Sequence, residues 1–244
     1  SAASTGRMLD ANYASANVKN GSSYFNGIKK KPIDILYPQD YSVISFVTAG
    51  NANADRFGKD RSLAKYWCGD YLELIIYSTA LSDSDRITVE NYLSTKYAIT
   101  VYNYSDATSY ITGITYTCSP VYAGSAAIIF DKSVGTYTGW YPLSFPIFIK
   151  AQFPTTQILK GYGLMPQYIE GYPSRSPKDW KFQGSNDDTN WTDIHTVVNE
   201  PTFLQYEKRS YVFANTTPYL YYRILISANS GSDSMWMTEI ELYY

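Results

Sequence analysis

One histidine and two cysteines in 244 residues leave little material for transition-metal or nucleophilic chemistry. Zinc sites and imidazole acid–base pairs draw on several such side chains at once. His195 stands alone in a strand-like stretch after Trp191 and reads as a structural or surface residue. Cys68 and Cys118 are far apart in sequence and read as buried free thiols, so disulfides do not hold this fold and the redox compartment stays open. There is no glycine-rich phosphate loop with a Lys-Ser/Thr end and no G-x-S-x-G elbow. The pair Asp187-Asp188 lies among turn formers, where solvated turn chemistry explains it better than paired acid–base work. The chain therefore reads as a non-enzyme. No apolar run approaches the ~20 residues of a membrane-spanning helix, so no membrane insertion is expected. An excess of one charge is lacking too: 20 basic residues face 22 acidic ones. Neither half has the basic surplus that binding to a phosphate backbone requires, which argues against nucleic acid as a partner. The first five residues carry no basic or apolar signal-peptide region.

What the chain has in quantity is aromatic surface. Phe, Trp and Tyr make up 17% of it, with 26 tyrosines. Tyrosine suits strands and contact surfaces, since it offers a large amphipathic area at low entropic cost. Asn20-Gly21 and Asn26-Gly27 are hairpin signals, so 18–28 reads as short strands joined by tight turns. Residues 41–47 and 71–77 read as strands. Ser82 reads as the N-cap of a helix with acids in its first turn and an apolar face of Val89, Tyr92 and Leu93. In 177–192, PKDWKFQGSNDDTNWT, alternating Trp180 and Phe182 give a strand, 184–190 a polar turn, and Trp191 a second strand start. Trp180 and Trp191 are assigned to the core.

Two family resemblances follow from these runs. Residues 67–97, WCGDYLELIIYSTALSDSDRITVENYLSTKY, resemble the closing segment of a laminin-G-like (concanavalin-type) jelly roll. Such a double sheet needs about eight strands. The first hundred residues supply five or six, so the missing strands are expected to precede Ser1. Residues 177–192 resemble the signature of discoidin-like domains (coagulation factor 5/8 C-type, galactose-binding-like). The similarity continues in order through AAIIFDKSVGTYTGW at 126–140, IFIKAQF at 147–153, ILKGYGL at 158–164, YLYYRILI at 219–226 and MTEIELY at 237–243. The resemblances imply an all-β chain of two tandem β-sandwiches: 1–102, a partial concanavalin-like jelly roll with one helix, and 103–244, a discoidin-like sandwich.

The discoidin resemblance also implies sites. It puts a structural Ca²⁺ on the side chains of Asp131, Thr136 and Glu239, with the carbonyls of Ser133 and Thr238 completing a shell of hard oxygens. Lys132 stands where the family has glycine, a cation that would weaken the metal if it points inward. Ligand binding is implied for loops at one end of the sandwich. The candidates are Trp140, Tyr141, Tyr172, Arg175, Asn229, Asp233 and Trp236, with aromatics stacking on sugar rings and polar groups taking hydroxyls. Trp140 and Trp236 read equally well as core aromatics, and Arg223 as part of a structural ion pair. Asn20, Asn103, Asn190 and Asn215 form Asn-x-Ser/Thr sequons. The expected function is a non-enzymatic carbohydrate-binding or adhesion module of an extracellular or virion-surface protein, such as a fibre, tail or capsid appendage. Its partners would be cell-surface or extracellular glycans. Two alternatives stay open: a structural module binding other subunits of a virion or surface assembly, or the accessory part of a glycoside hydrolase.

Overall fold

The computed structural model describes residues 8–9, 14–35, 38, 40–52, 70–133, 135–166, 172–204 and 207–244. Cys68 and Trp67 lie outside the described residues; Cys118 is a free, half-buried thiol.

The larger part of the chain is an antiparallel β-sandwich. One sheet has five strands: β4 (Thr115–Cys118), β6 (Ile147–Gln157), β8 (Pro177–Ser185), β9 (Thr192–Val197) and β11 (Tyr219–Asn229), in the order β4-β6-β11-β8-β9. The facing sheet has three, β7 (Gly161–Met165), β10 (Arg209–Val212) and β13 (Glu239–Tyr243), in the order β10-β7-β13. A two-stranded ribbon of β5 (Thr138–Trp140) and β12 (Met235–Met237) closes one end. Period-2 alternation explains which side chains meet between the sheets. On β6, Ile147, Ile149, Ala151 and Phe153 point inward and Phe148, Lys150 and Gln152 outward. Trp180, Phe182, Tyr222, Ile224 and Ile226 extend that face, and Tyr162, Leu164, Ile240 and Leu242 oppose it. Ring stacking orders the centre: Tyr162 lies 4.6 Å from Phe182, which lies 5.6 Å from Tyr222.

The strand–turn–strand reading of 177–192 corresponds to β8, a polar turn and β9, and Trp180 is in the core at 1% exposure. Trp191 is not. It is half-buried at the start of β9, where the Arg223 guanidinium lies 4.0 Å over its ring, and Arg223 Nε donates to Gln183 (2.7 Å).

The first hundred residues build a separate layer. Here β1 (Ser22–Phe25), β2 (Ile28–Lys30) and β3 (Ile44–Val47) form an antiparallel sheet in the order β2-β1-β3. Asn26 and Gly27 turn the β1–β2 hairpin with φ of 49° and 76°, the left-handed pair a two-residue turn demands. Asn20 instead caps α1 (Ala16–Lys19). The helix α2 (Asp83–Tyr97) begins where expected: the Ser82 hydroxyl accepts the Asp85 N–H at 3.2 Å. Two readings are corrected here. Residues 71–77 form no strand, and their apolar side chains are exposed, Ile76 at 71%. The inward face of α2 is polar, because Arg86 and Glu90 form a buried ion pair beneath Tyr24. Tyr92, assigned to that face, is 48% exposed.

This layer joins the sandwich along β13. The backbone of Lys29 bonds to Tyr104 and Asp106, and Ser105 bonds to Tyr244 in both directions. Beneath, the Glu241 carboxylate is fully buried and ion-paired with Lys30 of β2 and with Lys208 (3.1 Å). Burial opposes its ionisation, but the two ammonium groups outweigh burial and hold it well below the usual carboxylate range.

One acid serving the buried Lys30 and the partly buried Lys208 makes the seam asymmetric. Glu241→Ala leaves both lysines without a counter-charge and is expected to cost about 3–5 kcal/mol. Lys30→Ala leaves the Lys208 pair in place and is expected to cost clearly less. Urea denaturation of the two variants beside the wild type measures the order; equal losses would show that Lys208 does not share the charge.

Candidate functional site

The ribbon register decides which aromatics are available to a ligand. Residues opposite each other on antiparallel strands share a face. Trp140 pairs with Met235 and both point inward, at 2% and 0% exposure. Trp236 pairs with Gly139 on the other face. Trp140 is therefore corrected from ligand candidate to core side chain, with its indole N–H on the Ser119 carbonyl (3.2 Å).

On the outer face four side chains stack in series. The Tyr137 ring lies 4.2 Å from Trp236 at 23°. Arg175, at the end of the short 3-10 turn Pro173–Arg175, holds its guanidinium 4.7 Å over Trp236 and 4.0 Å over Tyr172. Tyr122 and Tyr141 meet edge to face at 5.9 Å, and the Tyr122 N–H bonds to Gly139 of the same ribbon (2.9 Å). Tyr122, Tyr141 and Tyr172 are exposed, at 72%, 51% and 45%. Backbone bonds from Ser230 N–H to Ser176 O (3.0 Å) and from Leu143 N–H to Asp233 O (2.9 Å) tie the loops together. Tyr172, Arg175 and Trp236 are thus brought together, and Tyr141 flanks the same ribbon. Asn229 has a different part: its amide donates to Ser232 O and Ser234 O (2.9 Å each) and accepts from Gly231 N–H, so it shapes the loop. Asp233 is exposed on that loop. Tyr137 and Tyr122 were missed. Alternation places Tyr137 with Gly139, opposite Trp140, which was the one available signal.

The calcium loop holds a different cation. Lys132 has φ 60° and a side chain only 5% exposed. Its ammonium lies 3.0 Å from Asp106 Oδ2 and 3.4 Å from Glu239 Oε1, and bonds to the Thr108 hydroxyl. Its backbone N–H donates to Glu239 Oε2 (2.8 Å). Asp131 accepts from Ser133 N–H (2.9 Å) and from the Thr136 hydroxyl (2.8 Å), which closes the loop on itself. Thr238 Oγ1 is buried without a hydrogen-bond partner. Of the three side chains assigned to calcium, Glu239 is therefore occupied by an ammonium, and Asp131 and Thr136 bond to each other within their own loop. This donor set does not fit Ca²⁺, because a divalent ion on Glu239 would stand against the buried charge of Lys132.

His195 belongs to the core rim. Trp180 Nε1 donates to the Tyr162 hydroxyl (2.8 Å), and the same hydroxyl shares a hydrogen bond with His195 Nδ1 at 2.9 Å. Burial favours the neutral imidazole and lowers its pKa, outweighing the opposing pull of Glu200. Asn215 is buried, with its amide on Leu159 O and Thr217 O (3.1 Å each), so its sequon is closed to modification.

Three outcomes follow for solution measurements. Melting curves in millimolar EDTA and in millimolar calcium are expected to coincide, since a ligand that does not bind the native state shifts nothing. A rise with calcium would show metal binding despite Lys132. Lys132→Ala, which leaves buried carboxylates unpaired, is expected to lose roughly 3–5 kcal/mol. His195, with its folded pKa below the ordinary ~6.5, contributes stability above that pH that is lost as pH falls through the folded value. Its titration by NMR should have a midpoint below 6.5, and the melting temperature should drop over the same range; a midpoint above it would refute the assigned burial of His195.

No family model matches the sequence, and no curated protein matches it. Among solved structures, the chain is similar to chitosan-binding module 1 of a chitosanase/glucanase from Paenibacillus sp. IK-5 (20% identity, 54% of this chain and 95% of that one, TM-score 0.46). It is similar also to a family 32 carbohydrate-binding module from Clostridium perfringens in complex with galactose (10% identity, 54% and 93%, TM-score 0.45). A third is an F5/8 type C domain from Bacteroides fragilis (15% identity, 58% and 96%, TM-score 0.48). Each covers little more than half of this chain, at identities and scores too low to carry an argument about function.

Proposed function

We propose that this chain is a non-catalytic module that binds carbohydrate through the loop cluster at the ribbon end of the sandwich. The observation that carries the reading is the series Tyr172–Arg175–Trp236–Tyr137, flanked by the exposed rings of Tyr122 and Tyr141. Apolar ring faces beside a few placed polar groups are what a pyranose needs, with its C–H face on one side and hydroxyls at the edge. The rings come from four separate chain segments gathered at one ribbon, so little ordering remains to be done on binding. An extracellular or virion surface is part of the same proposal and rests on composition alone.

A second reading, a module that binds other protein subunits, is favoured by one observation. Tyr71, Leu72, Leu74, Ile75, Ile76 and Tyr77 are all exposed in a single run. Sedimentation of Leu74→Glu/Ile76→Glu against the wild type reads that surface without touching the loop cluster.

A glycan array followed by titration calorimetry tests the main proposal. Trp236→Ala and Tyr172→Ala are each expected to weaken the best glycan by about 10-fold or more, from lost stacking of roughly 1–3 kcal/mol. Glycan binding that survives both substitutions would move the site elsewhere.

A further inference from the structure

Arg86, Arg175, Arg209 and Arg223 are the four arginines among the described residues, and each lies over an aromatic ring. Arg86 also binds Glu90, Arg209 binds Glu200 and Glu207, and Arg223 donates to Gln183. Among the described residues Arg175 makes no ion pair, and its Nε is buried without a hydrogen-bond partner. A buried guanidinium donor without an acceptor is costly. Tyr172 and Trp236 lie 4.0 Å and 4.7 Å from the guanidinium, and an aromatic ring attracts the charge without accepting the N–H donors as an oxygen would. A second unsatisfied atom lies in the same loop cluster: Ser230 Oγ is buried without a partner, while the Ser230 backbone is bound to Ser176, the residue after Arg175. Two of the four buried polar atoms without a partner among the described residues thus belong to this cluster. The exposed carboxylate of Asp233, on the facing loop, makes no ion pair with Arg175.

We infer that the loop cluster takes an acidic sugar, with the carboxylate or sulfate of the ligand on the edge of Arg175 and a neighbouring hydroxyl on Ser230 Oγ. This rests on the carbohydrate reading and deepens it. A neutral hydroxyl would satisfy one hydrogen bond but not the charge. An oxyanion satisfies both, through two parallel charge-assisted bonds matched to the planar fork. The ring stack then covers the sugar's apolar face.

Calorimetry with three pairs of probes tests this: trigalacturonate against its carboxyl-reduced trigalactoside, galactose 6-sulfate against galactose, and 3′-sialyllactose against lactose. At least one acidic probe is expected to bind the wild type about 10-fold tighter than its neutral counterpart. The preference should weaken as salt rises. Whether it appears with the uronate, the sulfate or the sialate names the source of the anion, and any of the three supports the inference. Arg175→Gln should bring the ratio close to one, while Arg175→Lys should retain part of it, since the charge remains and the fork is lost. Neutral probes binding as well as or better than acidic ones would overturn the inference and leave carbohydrate binding intact. If the wild type binds none of the six probes and no glycan on the array, both readings fall. The wild-type comparison stands even if a variant does not fold.

Discussion

Strand β13 has two faces with opposite demands, and the rest of the molecule is arranged to meet both. Ile240 and Leu242 point into the sandwich, while Glu239, Glu241 and Tyr243 point away from it and are buried nonetheless. Carboxylates out of water need a cation at contact distance. Glu239 finds Lys132 and Glu241 finds Lys30 and Lys208. Lys30 comes from the first hundred residues, so the N-terminal layer supplies part of the charge that lets β13 exist as a buried strand. The bonds of Lys29 to Tyr104 and Asp106 set the strand that delivers it. A buried charge pair and the backbone bonds of Lys29 together tie the two parts into one structure.

A single register does similar work at the other end. Pairing Trp140 with Met235 sends one large indole into the core; pairing Gly139 with Trp236 turns the other outward, where Tyr137 and Arg175 meet it. A slip of one residue would exchange the two faces, burying Trp236 and exposing Trp140. Fold and site therefore share one determinant.

Most of the sandwich was legible in the sequence because alternation over long strands states which side chains are inside, as in 147–153 and 177–185. The candidate site was legible in outline. Tyr172, Arg175 and Trp236 were placed in end loops, and these loops do meet. The failures have physical causes. Trp140 and Trp236 look alike in a linear pattern, and only pairing register separates them. Trp191 looks like a core aromatic but sits at a strand start, where Arg223 stacks on it. The strand expected at 71–77 has the right composition, yet composition does not specify a hydrogen-bonding neighbour. The inward face of α2 carries Arg86 and Glu90, because a guanidinium over the Tyr24 ring with a carboxylate beside it can be buried, and hydrophobic periodicity does not register that arrangement. Lys132 was noticed as a departure from glycine, but its partner Asp106 is 26 positions away, and no local pattern connects them.

The same chemistry recurs at each buried cation, and the differences between cases are informative. Arg86 on Tyr24 and Arg209 on Phe203 each combine a ring face with a carboxylate, and Lys132 and Lys30 each meet at least one acid. Such groups are complete within the chain. Arg175 has the rings without the acid. An aromatic face stabilises a cation by a modest amount and leaves its hydrogen-bonding capacity unspent. The other stacked arginines each find an acceptor within the chain, an acid at Arg86 and Arg209 and the neutral Gln183 at Arg223, and Lys132 draws on Glu239 more than a hundred positions away. The absence of such a partner at Arg175 coincides with the outward rings of the ribbon end, which is where a partner from outside the chain has access.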